Sequence, residues 1–162
     1  MFKTEAIETY KGYTLVCNFL DQGHRCGYVG LPKDHPLCCV SLCRADELLT
    51  SPHGGISFSE PVYNNYPISD SKDIGWWLGF DFNHGCDGKD FDAVEKYFGV
   101  SSRNRAEEIS GKNFLPDSFF NKPVPTTEEV MENCRGLADE IERLITKEKD
   151  KDDKDDTQME RD

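Results

Sequence analysis

The chain has 162 residues, with 19 Lys and Arg against 31 Asp and Glu, a net charge of −12 and an isoelectric point of about 4.7. That length suits one domain around a single core. Without a cluster of basic residues it excludes a protein that grips long nucleic acid, which gains affinity by neutralising phosphates. No apolar run is long enough to span a bilayer, and Met1 to Tyr10 lacks the apolar core of a signal peptide, so no membrane partner is expected. The expectation is a cytoplasmic protein whose seven cysteines are free thiols. Cys38-Cys39 and Cys43 have only a loose ligand spacing and read as ordinary thiols.

In chain order, Tyr13 to Phe19 is rich in β-branched and aromatic residues, Asp21-Gln22-Gly23 signals a turn, and Arg25 to Leu31 reads as a second strand. A β-hairpin therefore opens the domain. Pro32 to Pro36 is irregular. Residues 41–50 predict a short helix or turn, capped by Ser41 or Asp46. Ile56 to Ser59 alternates as a half-buried strand does, and Trp76 to Phe82 is a near-continuous apolar run, the pattern of a central strand. Between Pro61 and Asp73 lies a candidate lid or a passive connection.

Residues 88–123 carry aromatic side chains without sustained periodicity and read as an insertion on the main body. Within them a helix from about Phe91 to Phe98, ending at Gly99, is expected. After Pro125, Thr126 and Glu129 have the spacing of a capping box. Val130, Cys134, Leu137, Ala138, Ile141, Leu144 and Ile145 then recur at the steps of an amphipathic helix. Residues 147–162 hold five basic and eight acidic residues and one apolar one, Met159, the composition of a disordered acidic tail. The expected architecture is a single α+β domain over 1–146, a mostly antiparallel sheet with the C-terminal helix packed on it.

Two segments carry the chemistry: His53-Gly54-Gly55-Ile56-Ser57-Phe58-Ser59 and Gly75-Trp76-Trp77-Leu78-Gly79-Phe80-Asp81-Phe82-Asn83-His84. They hold both tryptophans and two of the four histidines, and they read as two walls of one site. Gly54-Gly55 lets a backbone approach a ligand closely or turn with positive φ, though no P-loop follows. Adjacent tryptophans on a strand face opposite ways, so Trp76 and Trp77 divide between core packing and an outward platform for a planar base or sugar. Arg25 is a candidate phosphate contact. No Gly-x-Ser-x-Gly or cysteine signature supports nucleophilic catalysis.

The order of these motifs resembles a family of small bacteriophage and prophage proteins. In that family a Gly-Tyr-Val strand and a His-Pro precede His-Gly-Gly-Ile/Leu-Thr-Phe-Ser, then Trp-Trp-x-Gly-Phe-Asp-x-x-His, then a helix with Leu-Ala. The matching residues are Gly27-Tyr28-Val29, His35-Pro36, His53 to Ser59, Trp76 to His84 and Leu137-Ala138, spanning most of 12–145. Ser57 stands where the family usually has Thr, and Phe82 where it commonly has Cys or another small residue. The resemblance implies a phage-encoded accessory protein of the host cytoplasm, and by analogy one that counters host defence by sequestering a nucleotide signal.

Three readings follow. The first is a binder of a small anionic or nucleotide-like ligand through Arg25, His53, Gly54, Gly55, Trp76, Trp77, Asp81 and His84, with no cofactor. The second is a metal-dependent hydrolase, phosphodiesterase-like, in which His53, Asp81, His84 and Asp87 hold a divalent ion such as zinc. The third is an acidic inhibitor that binds a host protein. Assembly into a homo-oligomer stays open in all three.

Overall fold

A computed structural model describes the backbone of residues 1–159 and the side chains of residues 1–149. Five antiparallel strands form one sheet in the order β1-β2-β3-β5-β4: β1 (Phe2–Tyr10), β2 (Tyr13–Leu20), β3 (Arg25–Pro32), β4 (Phe58–Glu60) and β5 (Ile74–Asp81). The expected hairpin is β2–β3, with Leu15 opposite Val29 and Cys17 opposite Gly27. β1 is an added edge strand; its alternation of polar and apolar residues is too polar to stand out in the sequence.

Both faces of the sheet are covered, which is why β2 and β3 read as continuous apolar runs. On one face Leu15, Cys17, Val29, Leu31, Leu78 and Phe80 pack against α5 (Thr127–Met159) through Val130, Cys134, Leu137, Ala138 and Ile141. On the other, Val16, Tyr28 and Trp77 are covered by Val62, Tyr66 and Ile68 of the 61–73 segment. This segment therefore closes the sheet face away from the histidines and is no lid over them.

The helices start where their capping chemistry says. Ser41 accepts the Arg44 N–H and begins α1 (Leu42–Leu48). Asp90 caps α2 (Phe91–Phe98), which ends at Gly99 as expected. The Thr126 hydroxyl accepts the Glu129 N–H at 3.2 Å, and the Glu129 carboxylate accepts the Thr126 N–H at 2.6 Å, the reciprocal bonds of a capping box. The insertion consists of α2, α3 (Val100–Ser110) and α4 (Asp117–Phe120), gathered on Phe19, Phe91, Val94 and Ala106. The α5 backbone is helical through Met159, across most of the segment expected to be an acidic tail, and residues 160–162 lie outside the described residues.

Candidate functional site

The two motifs meet at one end of the sheet, but through fewer residues than expected. After β5, the Asp81 carboxylate accepts the Asn83 N–H at 3.1 Å and turns the chain. The next residues close on themselves: the Asp87 N–H donates to the His84 carbonyl, and the His84 N–H donates to Asp87 Oδ2, both at 2.9 Å. His53 comes from the other motif through a tight turn in which the Gly55 N–H donates to the Pro52 carbonyl. Its own N–H is held by the Asn133 side chain of α5 at 3.0 Å.

Here His53, His84 and Asp87 converge. His53 Nε2 and His84 Nδ1 lie 2.9 and 3.1 Å from the same carboxylate oxygen, Asp87 Oδ2. The three donor atoms fall within 4.8 Å of one another, and no other such group of His, Cys, Asp and Glu occurs among the described residues. The His53 ring stacks on Phe82 at 4.3 Å with an interplanar angle of 4°. The phenyl group thus fixes the imidazole plane. The Asp87 side chain is only 7% exposed. Burial pushes its carboxyl up, but the His84 N–H, His53 and the His84 ring outweigh this and hold it below the usual carboxylate range.

The glycines make this geometry sterically feasible. Gly54 has φ +69°, and a Cβ there would fall 2.2 Å from His84 Cε1 and 2.3 Å from Nε2. Close approach is indeed what the His-Gly-Gly motif provides, but to a protein imidazole. At Gly55, φ +84°, a Cβ would meet Asp46 Oδ1 at 2.4 Å. That oxygen accepts the Ile56 N–H, so Asp46 braces the motif and does not cap α1.

Four expected site residues lie elsewhere. Trp77 is fully buried in the second core and has no face to offer a base. Trp76, on the opposite face, is partly buried against the main core and donates its Nε1–H to Ser59. Arg25 is committed inside the protein: it bonds Glu5 at 2.5 and 3.0 Å and the Pro125 carbonyl at 3.0 Å. Asp81 shapes the turn and does not join the cluster. The other histidines are structural: His35 bonds the Tyr13 hydroxyl and the Leu37 N–H, and His24 is buried.

Two cavities flank the cluster. One, of about 320 Å³, is lined by His84 and Asp87 together with Lys89, Lys122, Phe119 and Phe120. The other, of about 350 Å³, runs from Phe82 and Asp87 to Glu129, Glu132 and Asn133 of α5. The lysines and aromatics of the first come from the insertion, a stretch without apolar periodicity. Two imidazole nitrogens and one carboxylate form a donor set suited to zinc, iron or manganese, with coordination positions left for water or substrate. No helix among the described residues is long and apolar enough to cross a membrane. Comparison with known proteins finds no matching family model, curated protein or solved structure.

Proposed function

We propose that the protein is a divalent-metal-dependent hydrolase acting on a phosphoester, with His53, His84 and Asp87 as the metal ligands. The observation that carries this reading is the convergence of three donor atoms from two segments on one point beside a cavity. Structural zinc sites close their coordination with four protein ligands, whereas catalytic sites keep a position open. A divalent ion there supplies Lewis acidity and an activated water. In hydrolysis, water oxygen bonds phosphorus, the ester P–O bond breaks, and the proton passes to the leaving alkoxide. Phe82 orients the His53 imidazole, and Asn133 holds the His53 backbone.

The test is zinc and manganese titration of the chelator-treated protein, with turnover of p-nitrophenyl phosphate and its bis ester. Wild type binds one ion per chain and turns over at least one ester, while Asp87→Asn and His53→Ala lose both. Failure to bind either metal, with the fold intact, overturns the reading.

The earlier ligand-binding reading keeps support from the cavity beside His84, without the stacking tryptophan or Arg25. The likeness of the two motifs to phage-encoded proteins supports an accessory role in a host cell. Nucleotide binding without turnover, in the metal-loaded protein, is its mark.

A further inference from the structure

The cavity beside the histidine cluster has a chemistry of its own. Lys89 and Lys122 both reach into it half-buried, and both are held by neutral groups. Lys89 donates to the Asn83 side-chain oxygen and Lys122 to the Gly85 carbonyl. In a chain with 31 carboxylates, neither ammonium has one within 4.0 Å among the described residues. Taking an ammonium partly out of water without an ion-pair partner costs free energy. An anion from outside would remove that cost.

The adjoining wall is apolar. Phe119 is 49% and Ile109 65% exposed. Phe119 and Phe120 meet edge-to-face at 5.4 Å, and Lys122 Nζ sits 4.1 Å above the Phe119 ring. Exposed phenyl groups beside unpaired cations form a two-part recognition surface, one part for a planar ring and one for an anion. A volume of about 320 Å³ is near the lower end of small-molecule pockets, which run from roughly 300 to 1,000 Å³. It is sized for one ring system and its phosphate rather than for a dinucleotide.

We propose that this cavity binds the substrate, a phosphate ester of one aromatic or nucleoside group, with Lys89 and Lys122 on the phosphate and Phe119 against the ring. The inference rests on the metal-dependent hydrolase reading and names its substrate class. His84 and Asp87 line the same cavity, so a phosphate between the lysines lies beside the metal ligands.

The experiment is calorimetric titration of the full chain, zinc-loaded and zinc-free, with adenosine 5′-monophosphate, adenosine, inorganic phosphate and a diadenosine dinucleotide. The monophosphate is expected to bind at least tenfold more tightly than each of the other three. Lys89→Ala and Lys122→Ala each weaken the monophosphate tenfold or more, and Phe119→Ala weakens it without changing inorganic phosphate. Zinc binding with no preference for the monophosphate overturns this inference and leaves the metal reading standing. Monophosphate binding with no zinc uptake overturns the metal reading and leaves the pocket. A monophosphate affinity unchanged in both lysine variants, their thermal unfolding matching wild type, places the ligand elsewhere and overturns the pocket.

Discussion

Gly54→Ala and Gly55→Ala are neighbouring substitutions of one methyl group, yet the site geometry predicts different outcomes. Each places an L-residue in left-handed backbone, φ +69° and +84°, at a cost of about 1–2 kcal/mol. At Gly54 the new Cβ lies 2.2–2.3 Å from the His84 imidazole, so the ring must move. The His84 side chain is 41% exposed and swings into solvent at little further cost, because a bond to Asp87 at that exposure contributes only about 0–1 kcal/mol. At Gly55 the Cβ meets Asp46, which surrenders its bond to the Ile56 N–H, worth about 1 kcal/mol, while His84 is untouched. Both variants therefore melt lower, by roughly 2–12 °C at about 2–4 °C per kcal/mol for a chain of this size. Zinc affinity separates them. Gly54→Ala loses a ligand and binds at least about tenfold more weakly, whereas Gly55→Ala stays within about threefold of wild type. Thermal unfolding without metal, followed by zinc titration of both variants, gives the two readouts. Equal loss of zinc in both, or full affinity in Gly54→Ala, refutes the placement of His84 as a ligand.

Two further predictions concern the scaffold. Glu5, with 7% of its side chain exposed, accepts bonds from Arg25, Tyr97 and Thr127 and so ties β1, β3, α2 and α5 together. Glu5→Gln leaves the Arg25 cation buried with only Asp90 at 3.6 Å, and urea denaturation should show a loss of about 3–5 kcal/mol; a loss under about 1 kcal/mol contradicts the ion-pair account. His24 is held neutral mainly by burial, then by Lys89, against Asp81, Asp21 and Asp87, so its pKa falls from 6.5 to about 4. The unfolded chain takes up this proton first, so stability drops as pH falls below 6.5 and the drop ends near pH 4, amounting to about 3 kcal/mol. His24→Leu should flatten that part of the stability curve measured by urea denaturation; an unchanged slope assigns the acid sensitivity to other groups.

The sheet, the β2–β3 hairpin, the end of α2 at Gly99 and the start of α5 were legible because local chemistry sets them: turn residues, a C-terminal glycine and a capping box. The long α5 was not. Charge alternation without apolar residues reads as unfolded, yet it is also compatible with a helix propagated from a packed first half. At the site, the two histidines were visible as chemistry in turn-like segments, and Asp87 through its spacing from His84. Three-dimensional commitments were not visible. Trp76 and Trp77 both pack inward because both faces of the sheet are covered, and Arg25 found its partner 20 residues upstream on a strand with little signal. The lysine and phenyl lining of the cavity depends on how α3 and α4 fold back, which no periodic pattern encodes.

The bond from the His53 N–H to Asn133 spans 80 residues of sequence. During synthesis, therefore, all three proposed ligands leave the ribosome before the residue that locks one of them in place. That lock closes only when α5 has been made and laid on the sheet. A chain cut short of Asn133 keeps the local His84–Asp87 turn but loses the tie that holds the His53 backbone.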